Sequence, residues 1–197
     1  MASHQPVRVG ILVFDDVEEL DFAGPWEVFG VATRLYPKSF ETQLLAKKGE
    51  LHAVYGLRIA AVTHLKDCGP IDVVVVPGGR GAREVAKDEV VLDWLRNLSR
   101  KGTVITSVCT GALVLGAAGL LEGKRATTHW AALDELRAFP KVTVEHARVI
   151  DLGSVVTSAG ISSGIDMSLH LVARFLDPVR ANEVAHRMEY EPRIPLK

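Results

Sequence analysis

The segment Ser107-Val108-Cys109-Thr110-Gly111-Ala112 decides the fold class, because it joins an apolar run directly to a stretch of small residues. The run from Thr103 to Val108 is mostly β-branched, and the small residues that follow it end at Gly119. This change predicts a strand, a sharp turn and a helix with no linker between them. Small residues two positions before and after the turn residue are typical of a nucleophile elbow. Cys109 is therefore a candidate nucleophile, and the alternative is a buried, unreactive cysteine.

Strands and helices alternate along the rest of the chain. Strands are predicted at residues 7–14, 40–46, 71–76 and 103–108, with a short paired segment near 57–62 and further strands near 125–128, 142–144 and 155–157. Helices are predicted over residues 21–36, 88–100, 110–118 and 164–176, with a last one after Pro178. This alternation predicts an α/β fold, a mostly parallel sheet with helices on both faces and functional residues beyond the carboxyl ends of its strands.

The organisation of the chain is predicted to be simple. No internal repeat and no Pro- or Ser-rich linker interrupts the alternation, so residues 1–197 are expected to form a single domain. The polar residues from Glu191 onward are expected to be loosely ordered.

Composition excludes several classes of protein. The 197 residues are 48% apolar and 24% charged, which is typical of a folded chain with a sizeable core. The balance of 23 basic and 24 acidic residues disfavours nucleic acid or an anionic membrane as the main partner. Two cysteines cannot build a disulfide framework, the N-terminus lacks the pattern of a signal peptide, and no apolar run is long enough to span a bilayer. We therefore expect a cytoplasmic protein that neither binds nor crosses membranes.

A glycine-rich loop follows the predicted strand at residues 71–76. It reads Pro77-Gly78-Gly79-Arg80-Gly81, and glycines there allow backbone N–H groups to approach a ligand closely. The N–H groups of Gly79 and Thr110 are candidates for an oxyanion hole beside Cys109. A purely structural turn is the alternative, and the loop lacks the Lys-Ser/Thr pair of a phosphate-binding loop.

Three acids, Glu18, Glu19 and Asp21, lie just beyond the first predicted strand. One of these carboxyls can reach the thiol of Cys109, although spacing does not choose among them and Asp21 can equally cap a helix. A helix N-terminus at Cys109 would favour a thiolate. A carboxyl beside that thiolate would tend to keep its proton and could then donate it during a reaction.

The seven histidines form no metal-binding spacing, so neither a metal site nor metal catalysis is expected. His129 lies at the end of the predicted strand at 125–128 and can approach Cys109, with a structural role as the alternative. Cys68, beside Gly69 and Pro70, is expected to be an unreactive thiol.

Residues 15–29, 77–79 and 107–112 resemble the ThiJ/PfpI superfamily, which is class I glutamine amidotransferase-like. Within it the chain is most similar to the isonitrile hydratases, in residues 20–25, 106–121, 123–130 and 158–166. The resemblance covers nearly the whole chain. It implies a flavodoxin-like three-layer sandwich and a homodimer.

The resemblance also implies an activity and its residues. Cys109 corresponds to the nucleophile, with Asp21 and Thr110 as the other catalytic residues, and Trp26, His129 and Ile161 are expected in the substrate pocket. The implied enzyme is a hydro-lyase that needs no cofactor and adds water to a small isonitrile. The Cys109 thiolate would attack the isonitrile carbon while Asp21 places protons, giving a thioimidate that water hydrolyses to an N-substituted formamide.

Other members of the superfamily supply the alternatives. The same motifs resemble the sensor half of AraC-type regulators, so a non-catalytic ligand- or redox-sensing domain is one alternative, and a glyoxalase or deglycase is another. Intracellular peptidases of the superfamily carry His where Thr110 stands, which disfavours peptidase activity. Glutamine amidotransferases need a His-x-Glu motif, and no histidine here is followed two residues later by Glu.

Overall fold

The computed structural model describes residues 5–60 and 63–196. The strands are β1 (Val7–Leu12), β2 (Phe40–Ala46), β3 (Leu51–His52), β4 (Arg58–Ile59), β5 (Thr63–His64), β6 (Val73–Val76), β7 (Val104–Val108), β8 (Arg125–Ala126), β9 (Thr143–Val144), β10 (Val149–Asp151) and β11 (Val155–Ser158). The α-helices are α1 (Glu19–Leu35), α2 (Ala82–Val85), α3 (Glu89–Arg100), α4 (Gly111–Ala117), α5 (Leu133–Arg137), α6 (Ser163–Phe175) and α7 (Pro178–Arg187), and a 3₁₀ turn covers Trp130–Ala132.

The main sheet has seven strands in the order β10-β11-β7-β6-β1-β2-β5. All neighbouring strands are parallel except β10 and β11, which are antiparallel. Residues 73–76 of β6 are completely buried because helices cover the sheet on both sides. The predicted flavodoxin-like α/β sandwich is confirmed.

The direction of the crossovers explains the three layers. From the central pair β1 and β6, the chain moves to β2 on one side and to β7 on the other. Because both crossovers are right-handed, α1 and α3 lie on opposite faces of the sheet. Helices α6 and α7 pack with α1, whereas α4 packs with α2, α3 and α5.

The switch in direction between β1 and β6 positions the site. At such a switch point the loops on the two sides diverge and leave a crevice beyond the carboxyl ends of the strands. The loops after β1 and β6 are joined here by hydrogen bonds from Glu18 N–H to the Gly78 carbonyl (3.0 Å) and from Gly81 N–H to the Asp16 carbonyl (3.1 Å). Cys109 follows β7, the next strand in the sheet.

Several local expectations need correction. The strand predicted over residues 125–128 is limited to β8, which pairs with β9 outside the main sheet. Strands β3, β5 and β10 and helices α2 and α5 were not predicted, because each spans only two to five residues. Residues 61–62 of the segment predicted at 57–62 lie outside the described residues. In the polar tail, the Arg193 N–H donates to the buried Asp166 carboxylate at 2.9 Å.

Within the described residues, no helix combines the length and the apolar character that crossing a bilayer requires.

Gly111 provides a test of this packing. A Cβ atom at Gly111 would lie 2.0 Å from the Val76 carbonyl oxygen, which is backbone and cannot move aside, whereas a Cβ at Gly30 in α1 would meet nothing within 4 Å. We expect Gly111→Ala to lower the free energy of unfolding by about 1–3 kcal/mol. Gly30→Ala, the matched control, is expected to raise it by about 0.5–1 kcal/mol. Urea unfolding of both variants measures the two signs, and an unchanged Gly111→Ala would contradict the close approach of α4 to β6.

Candidate active site

Cys109 occupies a strained turn between β7 and α4. Its φ angle is +55°, in the left-handed region that residues other than glycine seldom adopt, and only 7% of the residue is exposed. Its N–H donates to the carbonyls of Ala159 (3.0 Å) and Ser158 (3.2 Å). Its own carbonyl accepts a hydrogen bond from the Thr128 hydroxyl at 2.7 Å. These bonds hold the strained conformation, which is typical of functional sites.

Asp21 is the acid that lies beside Cys109. Its side chain projects from α1 and is completely buried. The Gly78 N–H donates to Oδ2 at 2.8 Å, while Oδ1 makes no standard hydrogen bond within the described part of the chain. The residue at the N-cap of α1 is Glu18, so the helix-capping interpretation of Asp21 is wrong.

The other two acids lie elsewhere. Glu19 accepts a hydrogen bond from the Tyr55 N–H at 2.7 Å and so holds the β3–β4 hairpin. Glu18 lines the pocket in front of Cys109. Burial and the charge of Glu19 raise the pKa of Glu18, and the charge of Arg80 partly offsets them.

Burial has the largest effect on the pKa of Asp21. Desolvation raises its pKa from 3.8 to about 8, and the charge of Glu18 adds to the increase. The hydrogen bonds from Gly78 and from the Cys109 thiol oppose it. Asp21 therefore keeps its proton at neutral pH, as was predicted for a carboxyl beside this cysteine.

Burial also raises the pKa of Cys109, to about 12, and the negative charge of Asp21 is the second cause. Hydrogen bonds from the Thr110 N–H, the Thr110 hydroxyl and the Ile161 N–H lower it only in part. Desolvation thus outweighs these hydrogen bonds, and the effect of the helix N-terminus on this thiol stays a prediction.

Asp21 and Cys109 are close enough to titrate as a pair. The pair loses its first proton near pH 8 and its second near pH 12, where two negative charges must share one buried site. Between these values it carries one proton and one charge. Because Asp21 has the lower pKa of the two, that charge lies on the Asp21 carboxylate and the remaining proton on the Cys109 thiol.

Thr110 and Gly79 are bonded to each other. Gly79 N–H donates to Thr110 Oγ1 at 3.0 Å, and the hydroxyl lies 3.2 Å from the Gly79 carbonyl, to which it can donate. The Gly79 N–H is thus already paired, whereas the N–H groups of Thr110 and Ile161 interact with the sulfur. The oxyanion role of Gly79 stays a prediction, and it requires the bond to Thr110 to open.

A pocket of about 270 Å³ opens in front of Cys109. It brings together Gly79, Thr110, His129 and Ile161 from the predicted site. Trp26 is not part of it and is 42% exposed on α1. Trp26 lies five positions after Asp21 in α1, so the two side chains leave the helix about 140° apart. The complete lining is Glu18, Val54, Tyr55, Gly79, Arg80, Arg83, Cys109, Thr110, His129 and Ile161.

His129 forms one wall of the pocket. Its Nδ1 accepts a hydrogen bond from the Ala131 N–H at 3.3 Å, which fixes the ring. A Cβ at Gly160 would lie 2.0 Å from the His129 Cδ2 atom, so glycine is needed where the ring crosses the loop after β11. His129 therefore both packs against the loop after β11 and lines the pocket.

The sequence reasoning missed Tyr55, Arg80 and Arg83. Tyr55 comes from the unpredicted β3–β4 hairpin, which the Val54 N–H joins to the Val17 carbonyl at 3.0 Å. Arg80 stands inside the glycine-rich loop, where a charged residue beside a candidate oxyanion site was a usable signal. Cys68 lies apart from this pocket, with its thiol 3.1 Å from the Leu65 carbonyl. Across the residues with described positions, no three His, Cys, Asp or Glu side chains are grouped to hold a metal ion.

The raised pKa of Asp21 has a consequence for stability. An unfolded aspartate ionises near 3.8, whereas the buried Asp21 ionises only near 8. The free energy of unfolding of the wild type therefore falls as pH rises from about 4 to about 8. Asp21→Asn removes this term, and above pH 8 we expect it to be more stable than the wild type by on the order of a few kcal/mol. Urea unfolding from pH 4 to about 9 measures the difference, with the exposed Asp67→Asn as control. A difference that does not grow with pH would contradict the buried, neutral carboxyl.

The chain is similar to several known proteins. A family model for the DJ-1/PfpI family matches residues 7–174. An isonitrile hydratase from Pseudomonas putida is 38% identical over 189 residues, which are 96% of this chain and 81% of that protein. The HTH-type transcriptional regulator CdhR from Pseudomonas aeruginosa is 32% identical over 171 residues, 85% of this chain but only 50% of the regulator.

The fold of this chain is also similar to a solved structure. The crystal structure of a ThiJ/PfpI family protein from Pseudomonas syringae matches with a TM-score of 0.86 and 31% sequence identity, covering 96% of this chain and 77% of that one. The predicted superfamily is thereby confirmed, and the chain belongs to the DJ-1/PfpI family.

Proposed function

We propose that this protein is an isonitrile hydratase that converts a small isonitrile and water into an N-substituted formamide. The observation that carries the proposal is the buried pair of Asp21 and Cys109, in which a carboxyl with a pKa of about 8 lies beside the thiol of a strained turn. The Pseudomonas putida relative, named as an isonitrile hydratase and 38% identical over 96% of this chain, supports the same reaction.

The first step adds the cysteine to the isonitrile. The terminal carbon of an isonitrile accepts a nucleophile and a proton on the same atom. In the singly deprotonated pair, the Asp21 carboxylate accepts the thiol proton as the Cys109 sulfur forms the bond to this carbon, and Asp21 then transfers that proton to the same carbon. The product is a thioimidate on Cys109, and Asp21 is left as a carboxylate.

The second step hydrolyses the thioimidate. The Asp21 carboxylate accepts a proton from water as the water oxygen attacks the thioimidate carbon, and Asp21 then gives this proton to the imine nitrogen. The carbon–sulfur bond breaks as the hydroxyl proton of the tetrahedral intermediate passes through Asp21 to the departing sulfur, which releases the formamide and restores the Cys109 thiol and the Asp21 carboxylate. In this proposal the Thr110 hydroxyl, which is paired with Gly79, orients the water, and the N–H groups of Thr110 and Ile161 stabilise the leaving sulfur.

The proposal includes the molecular context. The site residues come from α1, the loop after β6, the β7–α4 turn and the loop after β11, and no metal or organic cofactor enters the reaction. We propose that the chain acts as a single domain on a small molecule and forms a homodimer, as the resemblance to the isonitrile hydratases implies.

A second candidate is a ligand-sensing role without turnover. The similarity to the regulator CdhR favours it, since that protein contains a region matching 85% of this chain. A sensor would bind its ligand at the same pocket, and its Cys109 would react with alkylating agents without producing formamide.

The central activity prediction concerns the pair itself. With a small alkyl isonitrile as substrate, we expect Cys109→Ala to abolish formamide formation, because the covalent step is lost. Asp21→Asn should lower kcat/KM by about 100- to 10,000-fold, because an amide cannot supply the proton. Cys68→Ala, which alters the other thiol, is the matched control and should keep full activity. Chromatography of the formamide measures all four proteins.

Two results would contradict this assignment. Formamide production by Cys109→Ala would show that the reaction does not pass through the cysteine. No turnover by wild-type protein, with rapid alkylation of Cys109, would favour the sensor role instead.

The pair also predicts a pH profile. The reactive form has lost one proton, so kcat/KM should rise with pH and level off above about 8, where the pair carries one charge. In Asp21→Asn the residual activity should follow only the ionisation of the thiol and lack this inflection. Initial rates between about pH 5 and pH 10 give the profile, and activity that is constant across this range would argue against a titrating Asp21.

A further inference from the structure

Two arginines line the pocket in front of Cys109, and their surroundings differ. The Arg83 guanidinium is held by Glu135 through two hydrogen bonds, of 2.9 and 2.5 Å. Arg80 is exposed and makes no ion pair or side-chain hydrogen bond with any residue of the ranges 5–60 and 63–196. Arg80 is therefore the cation of this pocket that is available to a ligand.

One acid of the pocket faces this cation. Glu18 is the only carboxylate on the pocket lining within the described chain, and the charge of Arg80 acts on it from a distance. Burial and the charge of Glu19 raise the pKa of Glu18, and no hydrogen bond or ion pair within the described ranges joins Glu18 to Arg80. Since Glu135 already pairs with Arg83, Arg80 is the pocket cation whose guanidinium donors no described side chain engages.

The backbone of Arg80 is held in place. Its neighbours Gly79 and Gly81 are fixed by hydrogen bonds to the Thr110 hydroxyl (3.0 Å) and to the Asp16 carbonyl (3.1 Å). The guanidinium is thus carried by a fixed loop that also contacts Thr110, the residue next to Cys109. Its planar fork suits a carboxylate, which can accept two parallel hydrogen bonds.

We propose that Arg80 binds a carboxylate on the substrate, so that the preferred substrates are small isonitriles carrying a carboxylate near the isocyano group. That the substrate is an isonitrile rests on the proposed function, whereas the preference for an anion rests on Arg80. A pocket volume of about 270 Å³ accommodates a small substrate of this kind.

The first test measures anion preference without requiring turnover. Iodoacetate and iodoacetamide alkylate the same thiolate but differ in charge, so the ratio of their rates at Cys109 is independent of the thiol pKa. We expect Arg80→Gln to lower this ratio about three- to five-fold. The ratio at Cys68, measured by mass spectrometry in the same sample, should not change. Arg187→Gln, which removes an exposed arginine on α7, should leave both ratios unchanged.

The second test uses isocyanoacetate and its neutral methyl ester as substrates. Wild-type protein should favour the anion in kcat/KM, and Arg80→Gln should lower kcat/KM for the anion more than for the ester, chiefly through KM. Arg80→Lys should restore part of the preference because it keeps the charge but loses the fork.

The outcomes separate the two proposals. If both isonitriles are hydrated and neither ratio depends on Arg80, the carboxylate site is wrong and the proposed function stands. If neither is hydrated but the alkylation ratio still depends on Arg80, the proposed function is wrong and the anion site is supported.

Discussion

The burial of one carboxyl is the constraint on which this site depends. Asp21 lies inside α1, fully enclosed, with one hydrogen bond from Gly78 at 2.8 Å. A Cβ at residue 78 would come within 2.9 Å of Asp21 Oδ2 and 2.5 Å of Thr110 N, so the enclosure requires glycine there. Helix α1, the glycine-rich loop and the β7–α4 turn are thereby packed around a single ionisable group. That group opposes folding when it is charged, and natural proteins keep such costs mainly where function needs them.

A second network supports the site from behind. The loop after β11 supplies the Ile161 N–H to the sulfur and the carbonyls that hold Cys109 in its strained conformation. The neighbouring Ser162 accepts a hydrogen bond from Arg148 at 3.1 Å, and Arg148 is held by the fully buried Asp166 at 2.5 Å. Tyr190 donates to the same carboxylate at 3.0 Å. The C-terminal segment thus stabilises the loop that faces the nucleophile.

The long elements and the turn at Cys109 were predictable because their patterns are strong. The four consecutive valines at 73–76 and the small residues around Cys109 each favour one local structure, and the carboxyl ends of parallel strands meet at one edge of the sheet. Tyr55 was not predictable, because it depends on a hairpin of two-residue strands that is fixed by tertiary bonds to Val17 and Glu19. Residue spacing alone did not choose Asp21 among the three acids. Its burial, which raises its pKa, arises only when α1 packs over the glycine-rich loop.

The central claim is that Asp21 holds a proton at neutral pH because it is buried beside Cys109. Infrared difference spectroscopy tests it directly, since a protonated carboxyl has a carbonyl stretch distinct from that of a carboxylate, and subtraction of Asp21→Asn isolates this residue. At about pH 7 we expect a protonated carboxyl band in the wild type that is missing from Asp21→Asn. Loss of that band between about pH 4 and pH 5, as for an exposed aspartate, would contradict the account.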